Sequence, residues 1–205
     1  MKLNQWLNAR LFDERFLLRL NKKFIGGRPF PHIVLRDFLI DEKAFELLKE
    51  VKKERFIEKE SDLFQFKQTD DLFFSKNKLV KEFNETCLSW EFFELIGKIS
   101  NSKFKGTLDM AATLYEGTDF LLCHDDELEG RKIAYVLYLS DDFRDADGGS
   151  FVIYNSANGL PTMVAKRIPP VFNSLLLFEV SEKSFHEVEE NLSEKKRYAI
   201  GGWLH

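Results

Sequence analysis

From Leu108 to the end, the chain consists of short runs of β-branched and aromatic residues separated by turn signals, and this texture limits the possible folds most sharply. The runs are Leu108 to Tyr115, Ile133 to Leu139, Ser150 to Tyr154, Met163 to Ile168, Ser174 to Val180, Phe185 to Val188 and Tyr198 to Leu204. Gly117, Asp147-Gly148-Gly149, Asn158-Gly159-Pro161 and Pro169-Pro170 punctuate them. Strands at this spacing predict a sandwich or a jelly roll.

The first half has a different period. Leu3, Trp6, Leu7, Leu11, Phe16, Leu17 and Leu20 recur at roughly helical spacing before Gly26-Gly27, which predicts an amphipathic leading helix. Pro31 to Leu39 is strand-like, Asp41 is the expected N-cap of a helix running to about Glu54, and two more helices are expected between Ser75 and Ser100. The expected architecture is mostly β with buttressing helices, an α+β arrangement. It forms one domain over 1–205, with helical support to about residue 105 and the β core over 106–205.

Thirty basic against 34 acidic residues leave a formal charge of −4, which argues against a general polyanion-binding surface, so direct nucleic-acid binding is not expected. The two cysteines, Cys87 and Cys123, lack the close spacing of a zinc or redox motif and read as reduced thiols. No stretch reaches the roughly 18 apolar residues of a membrane span. The expected location is the cytoplasm, or the nucleus in a eukaryotic cell. The 21 phenylalanines are scattered through apolar runs and read as core.

The chemistry-bearing segment is Leu121-Leu122-Cys123-His124-Asp125-Asp126-Glu127. On extended backbone, His124 and Asp126, two residues apart, would point to one face and offer nitrogen and oxygen to a single metal. Cys123 would then point away. Phe185-His186-Glu187-Val188 supplies a second histidine, and two histidines with one carboxylate form the facial triad of non-haem iron(II), which leaves three positions open. Two of those would take the 2-oxo group and adjacent carboxylate of 2-oxoglutarate, and the third dioxygen. Arg197, eleven positions after His186, has the planar fork that pairs with a far carboxylate.

Taken singly, these signals have plainer readings. His186 could be a strand-edge histidine, and Arg197 could pair with Glu187, Glu189 or Glu190 across a hairpin, worth about 0–1 kcal/mol at a surface. Their order and their place in the strand-rich half argue for the joint reading.

The stretch from Leu122 to Ala134, together with Phe185 to Val188 and Arg197 to Trp203, resembles the ribosomal prolyl hydroxylases. These are iron- and 2-oxoglutarate-dependent oxygenases whose yeast members were first named as termination and polyadenylation proteins. Phe30-Pro31-His32 and Asp62 to Leu72 are similar to their N-terminal half. The resemblance implies a double-stranded β-helix (a cupin-like jelly roll) and a protein substrate, a prolyl residue in a decoding-centre protein of the small ribosomal subunit. It implies iron(II) on His124, Asp126 and His186, and 2-oxoglutarate on Arg197 with Tyr115 and Tyr138 nearby. It also implies dioxygen as co-reactant, with ascorbate supporting turnover. Eukaryotic members carry a second, non-catalytic β-helix domain after the catalytic one, whereas this sequence ends at His205, so either a single-domain relative or an excised catalytic domain is expected. Two rivals stand beside this reading: a dioxygenase acting on a small molecule or another protein, and a non-catalytic metal-binding jelly roll.

Overall fold

A computed structural model describes residues 3–140 and 142–205. Four helices, α1 (Glu14–Ile25), α2 (Asp41–Val51), α3 (Lys78–Cys87) and α4 (Trp90–Ser100), lie in the first half. Three strands, β1 (His32–Arg36), β2 (Ile57–Ser61) and β3 (Phe64–Gln68), are interspersed with them. The second half holds β4 (Ala111–Tyr115), β5 (Phe120–His124), β6 (Ile133–Tyr138), β7 (Phe151–Ala157), β8 (Leu160–Ile168), β9 (Ser174–Glu179), β10 (His186–Val188) and β11 (Arg197–Leu204). Among the described residues no helix is long and apolar enough to cross a membrane.

The strands run in the order β1-β9-β6-β11-β4-β3-β5-β10-β7-β8, with β2 paired to β3. β3 joins the two halves of this path. Its first residues, Phe64 and Gln65, pair with β5, while Lys67 and Gln68 pair with β4. One strand edge thus serves two neighbours, which folds the sheet over on itself as a jelly roll.

Period-two alternation sorts the side chains of the large sheet into two layers. In β6, Ile133, Tyr135 and Leu137 join the core under the helices, while Ala134 and Tyr138 face the inside of the roll. In β9, Leu175 and Leu177 take the helix side and Leu176 and Phe178 the inner side. In β11, Tyr198 and Ile200 face the helices and Ala199 faces inward, so by parity Arg197 faces inward as well. The helical layer contributes Trp6, Leu20, Phe24, Leu47, Val80, Phe83 and Ile96, all buried. The expected role of the helices as a buttress is what the structure has.

Several local expectations are corrected. The predicted leading helix is broken into two 3-10 turns, Leu3–Gln5 and Ala9–Phe12, followed by α1. Asn8 and Asp13 cause the breaks, because each side chain accepts a backbone N–H, from Arg10 and Phe16 respectively, and so starts a new turn. Asp41 does not cap α2; the N-cap is Ile40. The Asp41 carboxylate instead accepts from the Asn173 amide at 2.8 Å. The β2–β3 hairpin had no counterpart in the expected elements. The β7–β8 turn is tighter than its composition suggested: Ala157 pairs with Leu160, so only Asn158 and Gly159 form the loop, both at positive φ.

Asn173 fastens the helical layer to the roll. It is buried, with φ of 54°, and its amide accepts from the Leu39 N–H at 2.8 Å and donates to the Leu39 carbonyl at 3.0 Å. Asn173→Ala would strand both Leu39 groups and leave a left-handed backbone without the residue that tolerates it. The expected loss is about 3 kcal/mol of unfolding free energy, measured by urea denaturation.

Candidate metal centre

The cluster forms where β5 meets β10. Antiparallel pairing sets His186 directly opposite His124, which brings the two ring centroids to 4.2 Å. The chain then turns at Asp126, whose φ is 63°, and its carboxylate swings back between them. Asp126 Oδ1 lies 3.5 Å from His124 Nε2 and Oδ2 lies 3.4 Å from His186 Nε2. Cis ligands about 2.1 Å from one metal are about 3 Å apart, so these spacings suit a single ion. Among the described residues this is the one group of His, Cys, Asp and Glu with its ligand atoms close enough, all within 4.8 Å, to hold a metal.

One expectation about this segment is corrected. β5 ends at His124, so His124 and Asp126 are not brought together by extended alternation. A left-handed residue does the work instead, and aspartate is among the few non-glycine residues that adopt that conformation readily. Cys123 is not one of the clustered ligands, although it lines the same cavity as they do. Its thiol is pushed up to about 11 by burial and by the nearby carboxylates of Glu187 and Asp125, so it is held as the unreactive thiol.

Both histidines have their tautomers fixed. His124 Nδ1–H donates to the Leu122 carbonyl at 2.8 Å, and His186 Nδ1–H to the Ser184 carbonyl at 2.6 Å. Each Nε2 is thereby left as the free lone pair a metal needs. Phe151 stacks on the His186 ring at 4.8 Å and Phe178 meets it edge-on at 4.7 Å. Burial lowers the His186 pKa, against the pull of Asp126, and favours the neutral ring. At His124 burial also acts to lower the pKa, but the hydrogen bond and charge of Asp126 outweigh it and the net shift is upward. Burial alone would raise Asp126, yet its two imidazole partners hold it well below the usual carboxylate range.

Arg197 opens β11 opposite Tyr115, the last residue of β4. It is 2% exposed, and among the described residues no acidic side chain pairs with it. The hairpin pairing with Glu187, Glu189 or Glu190 does not occur; Glu189 pairs with Arg167 instead. The guanidinium lies 4.9 Å from the Tyr115 ring and 5.2 Å from the Tyr138 ring. Arg197 Nε and the Tyr138 hydroxyl are both buried without a hydrogen-bond partner. Burial pushes the Tyr138 hydroxyl up to about 12 despite the adjacent cation, and Tyr115 is likewise raised, so both remain neutral donors. Gly149, at φ of 64°, makes room for this arginine: a Cβ there would sit 3.0 Å from Arg197 Cδ.

His124, Asp126, His186, Tyr115 and Arg197 all line one cavity of about 550 Å³, walled by apolar residues such as Phe64, Leu121 and Phe178. The sequence profile of the 2OG-Fe(II) oxygenase superfamily matches residues 110–205, the span that carries all of them. Residues 110–205 thus carry the pattern of a 2OG-Fe(II) oxygenase domain.

Relatives agree with this placement. The chain is 41% identical over 180 residues to prolyl 3-hydroxylase OGFOD1 of Xenopus laevis, covering 86% of this chain and 35% of that protein. It is 32% identical over 209 residues to prolyl 3,4-dihydroxylase OGFOD1 of Ostreococcus tauri, covering 93% and 41%. The chain therefore spans roughly a third to two fifths of the length of these relatives. Among solved structures, a Pseudomonas putida prolyl-4-hydroxylase matches with a TM-score of 0.71 at 16% identity, covering 92% of this chain and 98% of that one. A Trichoplax adhaerens prolyl hydroxylase in complex with a hypoxia inducible factor oxygen degradation domain peptide fragment matches at 0.73 and 20%, covering 93% and 90%. These two likenesses establish the jelly-roll fold.

A 2OG-Fe(II) oxygenase uses iron(II), 2-oxoglutarate and dioxygen. The residues present fit that set. The cluster offers two nitrogens and a carboxylate, and Arg197, on the wall of the same cavity, offers N–H donors to an anion, while the buried Tyr138 hydroxyl lies behind it and does not line the cavity. Tyr115 and Tyr138, implied only by the family resemblance, do flank Arg197. Phe66, which stacks on Tyr115 at 5.1 Å, and Trp203, which reaches Asp126, were not singled out from sequence; only their spatial neighbours disclose them. His32 and His205 lie elsewhere, bonded to Lys166 and Asp109 respectively.

A buried cation with no acidic partner adds little to the stability of the empty protein. Arg197→Met should therefore be at least as stable as wild type in thermal melts without ligand. The same variant should lose 2-oxoglutarate binding by 100-fold or more in anaerobic calorimetry with Mn(II) bound.

Proposed function

We propose that this chain hydroxylates a prolyl residue of a protein, consuming dioxygen and 2-oxoglutarate and releasing succinate and carbon dioxide. The observation that carries the reading is Arg197, a buried guanidinium without an acid partner among the described residues, in the same cavity as the His124, Asp126 and His186 cluster. A metal-binding scaffold has no use for such a cation, whereas a dicarboxylate that must reach both the metal and a distant anchor requires one.

In this reading His124 Nε2, His186 Nε2 and one Asp126 oxygen would hold iron(II). Arg197 binds the far carboxylate of 2-oxoglutarate and so sets the direction from which it reaches the metal. Bound there, the metal and cosubstrate supply the oxidising power that replaces a C–H bond of the substrate with C–OH. Phe151 and Phe178 hold the His186 ring, and the apolar walls keep water from the reacting centre.

Support for a prolyl substrate comes from relatives. The Xenopus protein and a mouse relative, 39% identical over 180 residues, are both named prolyl 3-hydroxylase, which favours the ring C3 position. The resemblance carried by Leu122 to Ala134 and by Arg197 to Trp203 points to a decoding-centre protein of the small ribosomal subunit, in the cytoplasm or nucleus. We take the described residues as one catalytic domain.

The test is an anaerobically prepared protein given iron(II), ascorbate, 2-oxoglutarate and oxygen, with peptides from that ribosomal protein. Succinate formation at least 100-fold above a His124→Ala control, with a one-oxygen mass gain on proline, is the expected result. Succinate without peptide modification would favour a small-molecule or different protein substrate, and no succinate under any condition would refute the enzyme reading.

A further inference from the structure

Asp126 is held by more than its two histidines. The Trp203 indole N–H donates to Asp126 Oδ2 at 3.2 Å. Arg131 lies flat on that indole, with its guanidinium carbon 3.4 Å from the ring centroid, and Arg131 Nη1–H donates to the Asp126 backbone carbonyl at 3.2 Å. Neither residue is on the element that carries Asp126. Trp203 is in β11, paired with Ala134 of β6, and Arg131 follows Gly130, which turns the chain at φ of 92°. Two segments from outside β5 thus converge on one carboxylate and on the left-handed backbone beneath it.

The two Asp126 oxygens are therefore not equivalent. Oδ2 accepts the indole N–H as well as lying 3.4 Å from His186 Nε2, whereas Oδ1 lies 3.5 Å from His124 Nε2, with Arg131 Nη1 3.9 Å away. A carboxylate free to rotate can chelate a metal through both oxygens and fill a fourth position. An iron(II) that must take a two-atom chelate from 2-oxoglutarate and also dioxygen needs all three remaining positions.

We infer that Trp203 and Arg131 are positioning residues that restrict Asp126 to one metal-facing oxygen, Oδ1, by occupying Oδ2 with the indole N–H. This inference rests on the metal-centre reading above. Trp203 supplies the hydrogen bond. Arg131 fixes the rotation of the indole by stacking on it, and fixes the Asp126 backbone through the carbonyl. Turning Oδ2 onto the metal would draw it away from the indole N–H and weaken that part-buried hydrogen bond. Partners of metal ligands typically change metal affinity or activity by about 10-fold to 100-fold when removed.

The experiment compares wild type with two replacements of Trp203. Trp203→Phe keeps an aromatic surface for Arg131 and deletes the donor. Replacement of Trp203 by β-(3-benzothienyl)alanine keeps the bicyclic shape and exchanges only the N–H for sulfur. Each protein is titrated without oxygen, first with Mn(II) or Co(II), then with 2-oxoglutarate. Melting temperatures of the metal-free proteins serve as the folding control. Wild type is expected to bind one metal ion and then 2-oxoglutarate. Both variants are expected to melt like wild type, to bind 2-oxoglutarate on the loaded metal about tenfold or more weakly, and to show an altered Co(II) visible spectrum before the cosubstrate is added. Arg131→Met is expected to give a smaller change in the same direction.

If both Trp203 replacements match wild type within twofold and leave the Co(II) spectrum unchanged, the inference is overturned while the metal centre stands. Weakening in the phenylalanine variant alone would also overturn it, because shape and not the N–H would then be the cause. A wild-type protein that binds no metal would refute the metal-centre reading itself, and the inference with it.

Discussion

A guanidinium sealed in a protein interior, with no carboxylate paired to it among the described residues, is the constraint around which this structure is organised. Arg197 is 2% exposed and lies on the faces of Tyr115 and Tyr138, which offset part of the desolvation cost without neutralising the charge. The register of β11 against β4 and β6 puts it there, and the positive φ of Gly149 leaves room for its stem. A protein selected for stability alone has no reason to keep it. A protein that receives a dicarboxylate does, because the ligand then completes the pair.

The metal cluster obeys the same logic of preparation before binding. The pairing of His186 with His124 sets the histidines, and two backbone carbonyls fix their tautomers. The carboxylate between them is held down by those imidazoles and steadied from outside by Trp203. Helices on the far face of the large sheet, tied in through Asn173, keep β9 and β1 in place while the inner face stays available for chemistry.

Much of this could be read from the sequence, for identifiable reasons. β6, β9 and β11 are buried on both faces and read as continuous apolar runs, and the order of His124, Asp126, His186 and Arg197 along the strand-rich half carried the chemistry. What stayed hidden depended on contacts distant in sequence or on local hydrogen bonding. β2, Ile57-Glu58-Lys59-Glu60-Ser61, is largely exposed and charged and has no apolar pattern to read, while β3 offers only the brief alternation of Phe64 and Phe66. Asn8 and Asp13 look like ordinary residues within a helical period until their side chains are seen to cap new turns. Asp126 was expected on extended backbone. It sits in a left-handed turn whose carbonyl accepts from Arg131 and whose carboxylate accepts from Trp203, 77 positions away, and a spacing of two between ligands cannot reveal that.

The central claim is that one dicarboxylate spans from the cluster to Arg197. A structure of the protein with Mn(II) and 2-oxoglutarate, obtained without oxygen, tests it most directly. The account predicts one ion on His124, Asp126 and His186, chelated by the 2-oxo acid end, with the far carboxylate on Arg197. An ion at the cluster with the far carboxylate elsewhere and Arg197 still unpaired would contradict it.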